Sequence, residues 1–256
     1  MSEGNRTVRV NAKGRAGELS DLALAFDNMA DTIAREDELR RAVVADVAHE
    51  LRTPLSILQA SSESLVDRAI DPSDENLSSL HDEVLRLARI VEDLDTLAAA
   101  EAAVLRMEME SLDLSEVAAT SVETLKPYFQ SKGVDLVSNL SPTDAVLDPG
   151  RTDQIIKNLL SNALKFTAPG GEVIVSVSPD TDCALLEVLD DGPGIGPDEL
   201  PHVFERFWRG KEAGRIAGSG IGLAVVHALV QGQGGTIDVL SKPTGGTRFV
   251  VRFHQL

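Results

Sequence analysis

Hydrophobic positions in the first hundred residues recur with helical spacing. Leu22, Phe26, Met29 and Ile33 step by four, three and four, which is a heptad seam. A second seam runs through Val44, Val47, Leu51, Leu58 and Leu65, with Pro54 at a skipped position. Ile33 and Val44 are eleven residues apart where a heptad wants seven, so the register slips by a four-residue stutter near Arg35–Arg41. Such a slip suits a joint that transmits rotation and equally a plain join between two helices. Asp71-Pro72-Ser73-Asp74 then supplies a turn and a new N-cap. A third seam follows at Leu77, Leu80, Val84, Leu87, Val91, Leu94 and Ala98. Two long helices across a short loop are expected to fold back antiparallel. One such hairpin buries too little apolar surface to stand alone. A second copy is the simplest partner, and a homodimeric four-helix bundle is expected.

Past residue 107 the spacing changes. Short strand-like runs appear at Val134–Val137, Val173–Val177, Ala184–Leu189, Thr236–Leu240 and Phe249–Phe253. Helical patterns alternate with them at Leu114–Tyr128, Thr152–Leu164 and Ile221–Val230. This predicts an α/β sandwich with one helical layer on a mixed sheet. The expected organisation is therefore α plus α/β: a leading helix and linker over residues 1–35, a helical hairpin over 36–106, and the sandwich over 107–256. A short hinge is expected near Ala103–Glu110.

Composition narrows the function. The 256 residues are 43% hydrophobic and 25% charged, enough for a buried core. A net charge of −17 argues against nucleic acid or an anionic membrane surface as the main partner, while leaving room for a local basic pocket. The single Cys183 excludes an intramolecular disulfide, and its apolar neighbours Ala184, Leu185 and Leu186 predict a buried thiol. No run reaches the roughly 18 apolar residues of a membrane span. Arg6, Arg9, Lys13 and Arg15 interrupt any signal core. The chain as given is expected to be soluble and cytoplasmic, with a parent anchored elsewhere left open.

Three features carry candidate chemistry. His49 lies between Val47 and Leu51 and points almost opposite their seam, toward solvent, where an imidazole can act as nucleophile. Glu50 adjoins it as a proton acceptor, Thr53 shares its face, and Pro54 removes a helical hydrogen bond one turn on. Taken alone, such a histidine is ordinary surface. His81, His202, His227 and His254 have no comparable setting and read as surface or packing residues, and no metal-ligand spacing is present.

Asn158, Asn162 and Lys165 fall within about 60° of arc on one helix face, with Ile156, Leu159, Leu160 and Ala163 opposite. Amide oxygens beside a lysine suit a Mg²⁺–phosphate group, and the same stripe also reads as a solvated face. Next, an apolar strand runs into Asp190-Asp191-Gly192-Pro193-Gly194-Ile195-Gly196. Glycine permits close backbone approach to a ligand, and a carboxylate at a strand end can accept from an amino group; a turn without ligand is the plain alternative. Gly218-Ser219-Gly220-Ile221-Gly222-Leu223 then opens a helix, a setting favourable to phosphate. It is neither a dinucleotide fingerprint nor a P-loop. The polar, glycine-containing stretch Arg206–Ala217 is a candidate lid.

These residues together resemble a sensor histidine kinase of a two-component system, over nearly the whole chain. His49-Glu50-Leu51-Arg52-Thr53-Pro54-Leu55 is similar to the phosphoacceptor motif, and Asn158 through Thr167 to the asparagine box. Asp190 through Ile195 is similar to the first glycine box, Phe204-Glu205-Arg206-Phe207-Trp208-Arg209 to the phenylalanine box, Gly218 through Leu223 to the second glycine box, and Gly245-Gly246-Thr247 to the terminal one. Asp191 replaces a commoner asparagine, which is expected to be harmless.

The resemblance implies that His49 takes the γ-phosphoryl group of ATP, that Glu50 is the general base, and that Thr53 positions water in a phosphatase reaction. It implies that Asn162 holds Mg²⁺, with Asn158 lining the same site, that Lys165 touches phosphate, and that Phe166 flanks the base. Asp190 would accept from the adenine amino group. Gly192, Gly194, Gly218, Gly220, Gly222, Leu223 and Thr247 would surround the nucleotide, with Arg209 a candidate for the γ-phosphate. The second half would have the Bergerat (GHKL) fold shared with gyrase, mismatch-repair and heat-shock ATPases. Gly17 through Ala30 resembles the second helix of a HAMP linker, so residues 1–35 imply an upstream membrane segment, with this chain on its cytoplasmic side. The implied partners are a second copy and the receiver domain of a response regulator. A plain nucleotide-driven clamp and a non-catalytic dimeric scaffold are the rival readings.

Overall fold

The computed structural model describes residues 47–48, 51–104, 107–210, 220–241 and 245–254. The leading helix and linker (1–35), the stutter, His49, Glu50 and Gly218 lie outside the described residues. The chain divides into two compact units, 1–87 and 88–256, and each is taken by itself.

Helix α1 (residues 51–66), in the first unit, leads through residues 67–73 into α2 (Asp74–Val104), which begins in the first unit and continues past residue 87 into the second. The turn is built from its own polar groups. The Ala69 and Ile70 amides donate back to the Ser64 carbonyl, and the Asn76 side chain donates to the Asp71 carbonyl at 2.8 Å. Arg68 takes a left-handed conformation (φ 58°) to reverse the chain. Leu51, Leu58 and Leu65 are half-buried, as their heptad spacing requires. The α2 seam splits in two. Leu80 and Leu87 are half-buried, whereas Leu77 and Val84 remain 47% and 50% exposed. Among the described residues, the row through Leu80 and Leu87 is covered and the row through Leu77 and Val84 is not.

The second unit is the expected sandwich. Its main sheet has the order β2 (Asp135–Leu140), β4 (Glu172–Asp180), β5 (Cys183–Asp190), β7 (Thr247–His254), β6 (Thr236–Ser241). The β2–β4 pair is parallel and the others antiparallel. Alternate residues Val173, Val175 and Val177, Ala184, Leu186 and Val188, and Phe249, Val251 and Phe253 are buried on one face. Helices α3 (Leu114–Lys132), α4 (Pro149–Phe166) and α5 (Gly222–Gly232) cover that face. Cys183 is buried, and burial pushes its thiol up in pKa.

Two four-residue strands that hydrophobic patterning misses, β1 (Glu110–Asp113) and β3 (Asp144–Leu147), pair antiparallel at the start of this unit. They feed two helix caps. Asp113 Oδ1 accepts from the Ser115 and Thr143 amides at 2.8 and 3.0 Å, starting α3. Asp148 Oδ1 accepts from the Arg151 amide to start α4, while Oδ2 takes the Glu108 amide of the entering chain. The amide of Asp148 donates to the buried Gln233 side chain, tying α4 to the end of α5.

Candidate functional site

The site grows from the last residue of β5. Asp190 is paired with Val173 on β4 and Thr247 on β7, and Thr247 is paired in turn with Ser241 on β6. Directly paired residues share a sheet face. Asp190, Thr247 and Ser241 therefore form a polar row on the helix-covered side, at one end of an otherwise apolar surface. Asp190 is only 4% exposed. Both of its hydrogen bonds among the described residues fall on Oδ1, from the Gly192 amide at 3.0 Å and the Thr247 amide at 3.2 Å. Burial pushes its carboxyl up to about 6, against the pull of those two amides and with a smaller push from Asp191. With Oδ1 saturated, Oδ2 is the oxygen left for a donor on a ligand.

The chain is packed tightly around this carboxylate. Gly246 has φ 75°, and a Cβ there would lie 2.0 Å from the Asp190 carbonyl oxygen, so only glycine fits. A Cβ on Gly192 would stand 3.2 Å from the Phe166 carbonyl, which brings the end of α4 to the end of β5. The first glycine turn is fixed from a distance. The Ile195 amide donates to Ser241 Oγ at 2.7 Å, and Ser241 Oγ donates to the Gly246 carbonyl at 2.7 Å. Gly194 takes φ 77° within this turn.

Helix α4 presents the expected stripe. Asn158, Asn162, Lys165 and Phe166 are half-buried, while Ile155, Ile156, Leu159, Leu160 and Ala163 are in the core. The Lys165 ammonium lies 5.1 Å from the Phe166 ring centroid. The last turn is held by Lys132 of α3, whose Nζ donates to the Leu164 and Lys165 carbonyls at 2.6 and 3.0 Å. Thr167, which ends the helix, is buried, and its Oγ1 has no hydrogen-bond partner among the described residues.

Beyond the glycine turn, Val203 enters the core and the Phe204 ring stacks on His227 of α5 at 5.3 Å. Burial lowers the pKa of that histidine, favouring the neutral ring. His202 and His81 are exposed, as read from the sequence. Phe207 is left-handed at φ 60°, and a Cβ on Gly220 would stand 2.4 Å from the Trp208 carbonyl oxygen. Residues 208 and 220 thus meet closely. Most of the candidate lid and Gly218 fall in 211–219, outside the described residues. Arg209 and Gly222 are exposed at the near ends, and Leu223 is half-buried.

The structure thus brings together Asp190, Gly192, Thr247 and the Phe166 backbone, and sets Asn158, Asn162 and Lys165 on one helix face. Thr53 is exposed in the first unit. Two contributors were not singled out from sequence: Ser241, which only strand register places beside Thr247, and Lys132, which only helix packing places at the end of α4. Among the described residues no group of three or more His, Cys, Asp or Glu side chains gathers as a metal site. No described helix is long and apolar enough to cross a membrane.

Comparison with known proteins agrees with this geometry. Residues 39–103 match the His Kinase A (phospho-acceptor) domain, and residues 147–256 match the Histidine kinase-, DNA gyrase B-, and HSP90-like ATPase family. The signal transduction histidine-protein kinase BaeS of Escherichia coli K12 is 32% identical over 254 residues, covering 98% of this chain and 54% of BaeS. The chain therefore spans about half the length of that curated relative. The solved structure of Acinetobacter baumannii histidine kinase AdeS superposes with a TM-score of 0.59 at 28% identity, over 81% of this chain and 98% of that one. Full-length ShkA, solved in complex with AMPPNP, superposes with a TM-score of 0.59 at 26% identity, over 83% of this chain and 46% of ShkA.

Proposed function

This chain belongs to the sensor histidine kinases of two-component systems, and from that premise we propose that it phosphorylates itself on His49 from ATP and passes the phosphoryl group to an aspartate of a response regulator. The observation that carries the reading is Asp190: a buried carboxylate, one oxygen spent on backbone amides and the other left for the amino group of adenine. The relative ShkA, which binds AMPPNP, supports the same ligand class. Phe166 flanks the base, Lys165 reaches phosphate, and Gly192, Gly194, Gly218, Gly220, Gly222, Leu223 and Thr247 line the nucleotide, with Arg209 directed to its γ-phosphate.

Asn162 and Asn158 would hold a magnesium ion. Half-buried neutral amide oxygens beside a lysine fit that hard cation, which supplies charge neutralisation on the phosphates when bound. In the transfer, a His49 ring nitrogen bonds to the γ-phosphorus and the bond to the β-γ bridging oxygen breaks. Glu50 takes the proton released from the imidazole. The protein's part is positioning and electrostatics. Thr53 orients water when the same enzyme removes phosphate from the regulator.

The exposed row Leu77 and Val84 supports a homodimer, since a second copy covers it without changing the chain's own packing. We assign residues 36–106 to dimerisation and phosphotransfer and 107–256 to ATP binding, with 1–35 as the linker on the cytoplasmic side of a membrane. Incubation with γ-labelled ATP tests the proposal. Wild type should acquire acid-labile label and His49→Gln none; equal labelling of both proteins overturns it.

A further inference from the structure

The chain that follows the first glycine turn doubles back toward it. The Gly196 carbonyl accepts from the Glu199 and Leu200 amides at 2.9 and 3.1 Å. The Glu199 side chain reaches back in return, and its Oε2 accepts from the Gly196 amide at 3.4 Å. This reciprocal pair has the form of a capping box. The turn it grips is itself anchored, because the neighbouring Ile195 amide is held at 2.7 Å by Ser241 Oγ of β6. Further along, Phe207 takes its left-handed φ of 60°, a conformation that a bulky residue holds only where its surroundings demand it. The chain reverses there and returns to Glu199. A Cβ on Gly210 would stand 3.1 Å from Glu199 Oε1 and 3.1 Å from Cη2 of the Trp208 ring. Both chain neighbours of Arg209, Trp208 and Gly210, thus converge beside the half-buried Glu199 carboxylate.

We infer that Glu199 is a positioning residue: it sets the backbone of residues 208–210 against the anchored glycine turn and so aims Arg209 at the γ-phosphate of a bound nucleotide. The inference rests on the nucleotide reading above and deepens it, since Arg209 is the residue given the γ-phosphate there. An arginine side chain is long and rotamer-rich, so the placement of its guanidinium depends on the backbone that carries it. One Glu199 oxygen serves the glycine turn and the other faces the segment that bears Arg209. Glu199 touches no phosphate in this scheme; it acts through Arg209.

Calorimetric titration of the full 256-residue chain with AMPPNP and ADP tests this, since only the first carries a γ-phosphoryl group. Arg209→Ala should lower AMPPNP affinity about tenfold relative to ADP, the scale of a hydrogen bond to a charged group. Glu199→Ala should give the same selective loss, and the two substitutions together should lose no more than either alone. Glu199→Gln, which keeps the reach and an accepting oxygen, should bind both nucleotides as wild type does. Gly210→Ala, which presses on the same carboxylate from the other side, should repeat the selective loss, and it decides alone if Glu199→Ala does not fold. An unchanged AMPPNP-over-ADP ratio in these variants overturns the inference and leaves the Arg209 reading intact. So do an equal loss for both nucleotides, losses that add in the double variant, or a loss in Glu199→Gln as large as in Glu199→Ala. If Arg209→Ala lowers both affinities alike, the γ-phosphate reading of Arg209 fails and this inference with it.

Discussion

Thr247 donates its amide hydrogen to Asp190 Oδ1 at 3.2 Å across the β5–β7 pair, and that bond does not suffice to keep the carboxyl acidic. Desolvation dominates, and the group titrates near 6 against an ordinary 3.8. Since the folded pKa is the higher one, the folded state binds the extra proton between pH 4 and 6. Ionisation of Asp190 therefore opposes folding, by about 3 kcal/mol at pH 8 on the linkage scale. Asp190→Asn should raise the melting temperature of the nucleotide-free protein at pH 8 and lose adenine-nucleotide affinity. In wild type, affinity should drop as pH falls through about 6. Calorimetry between pH 5 and 8 reads both effects.

Asp113 shows the opposite sign. The Thr143 amide and the bonds from Ser115 hold its carboxyl below the usual range. Its stabilisation is therefore fully present above the ordinary value of 3.8 and is lost as pH falls through the lower folded one. Asp113→Ala should destabilise the second unit by about 1–2 kcal/mol in urea unfolding at pH 7. Asp113→Asn, which keeps an accepting oxygen, should recover most of that loss.

Lys132 makes no hydrogen bond to the polar row among the described residues, yet it closes the helix end that carries Lys165 and Phe166. Lys132→Met keeps most of the aliphatic stem and removes both hydrogen bonds. Stability should fall by about 1.5–3 kcal/mol, the range for hydrogen bonds to charged groups. Hydrogen exchange should quicken at residues 164–167, and the KM for ATP should rise more than kcat falls.

Glycines in the nucleotide boxes separate into two kinds. At Gly246 the close approach to the Asp190 carbonyl forbids a side chain, so Gly246→Ala should unfold or distort the sheet end, with loss of more than about 3 kcal/mol. At Gly222 a Cβ meets nothing within 4 Å among the described residues, and the residue begins α5. Gly222→Ala should leave the melting temperature unchanged or slightly higher while weakening ATP binding about tenfold if the proposed nucleotide occupies the open space it fills. Thermal melts with and without ATP distinguish the two.

Amphipathic spacing placed α3, α4 and α5 and the five strands of the main sheet to within a few residues, because burial on one face imposes a period on the chain. Asp190, Gly192 and the α4 stripe were legible for a related reason: their chemistry is local, a few residues apart on one turn or one helix. The strands β1 and β3 carry four residues each, too few to show a period. The contact of Lys132 with Leu164 spans 32 residues, and the Ile195 bond to Ser241 spans 46. Nothing in local composition marks either. They exist because helix packing and strand register bring distant segments to one point, and backbone groups left there without water must find partners wherever the fold supplies them.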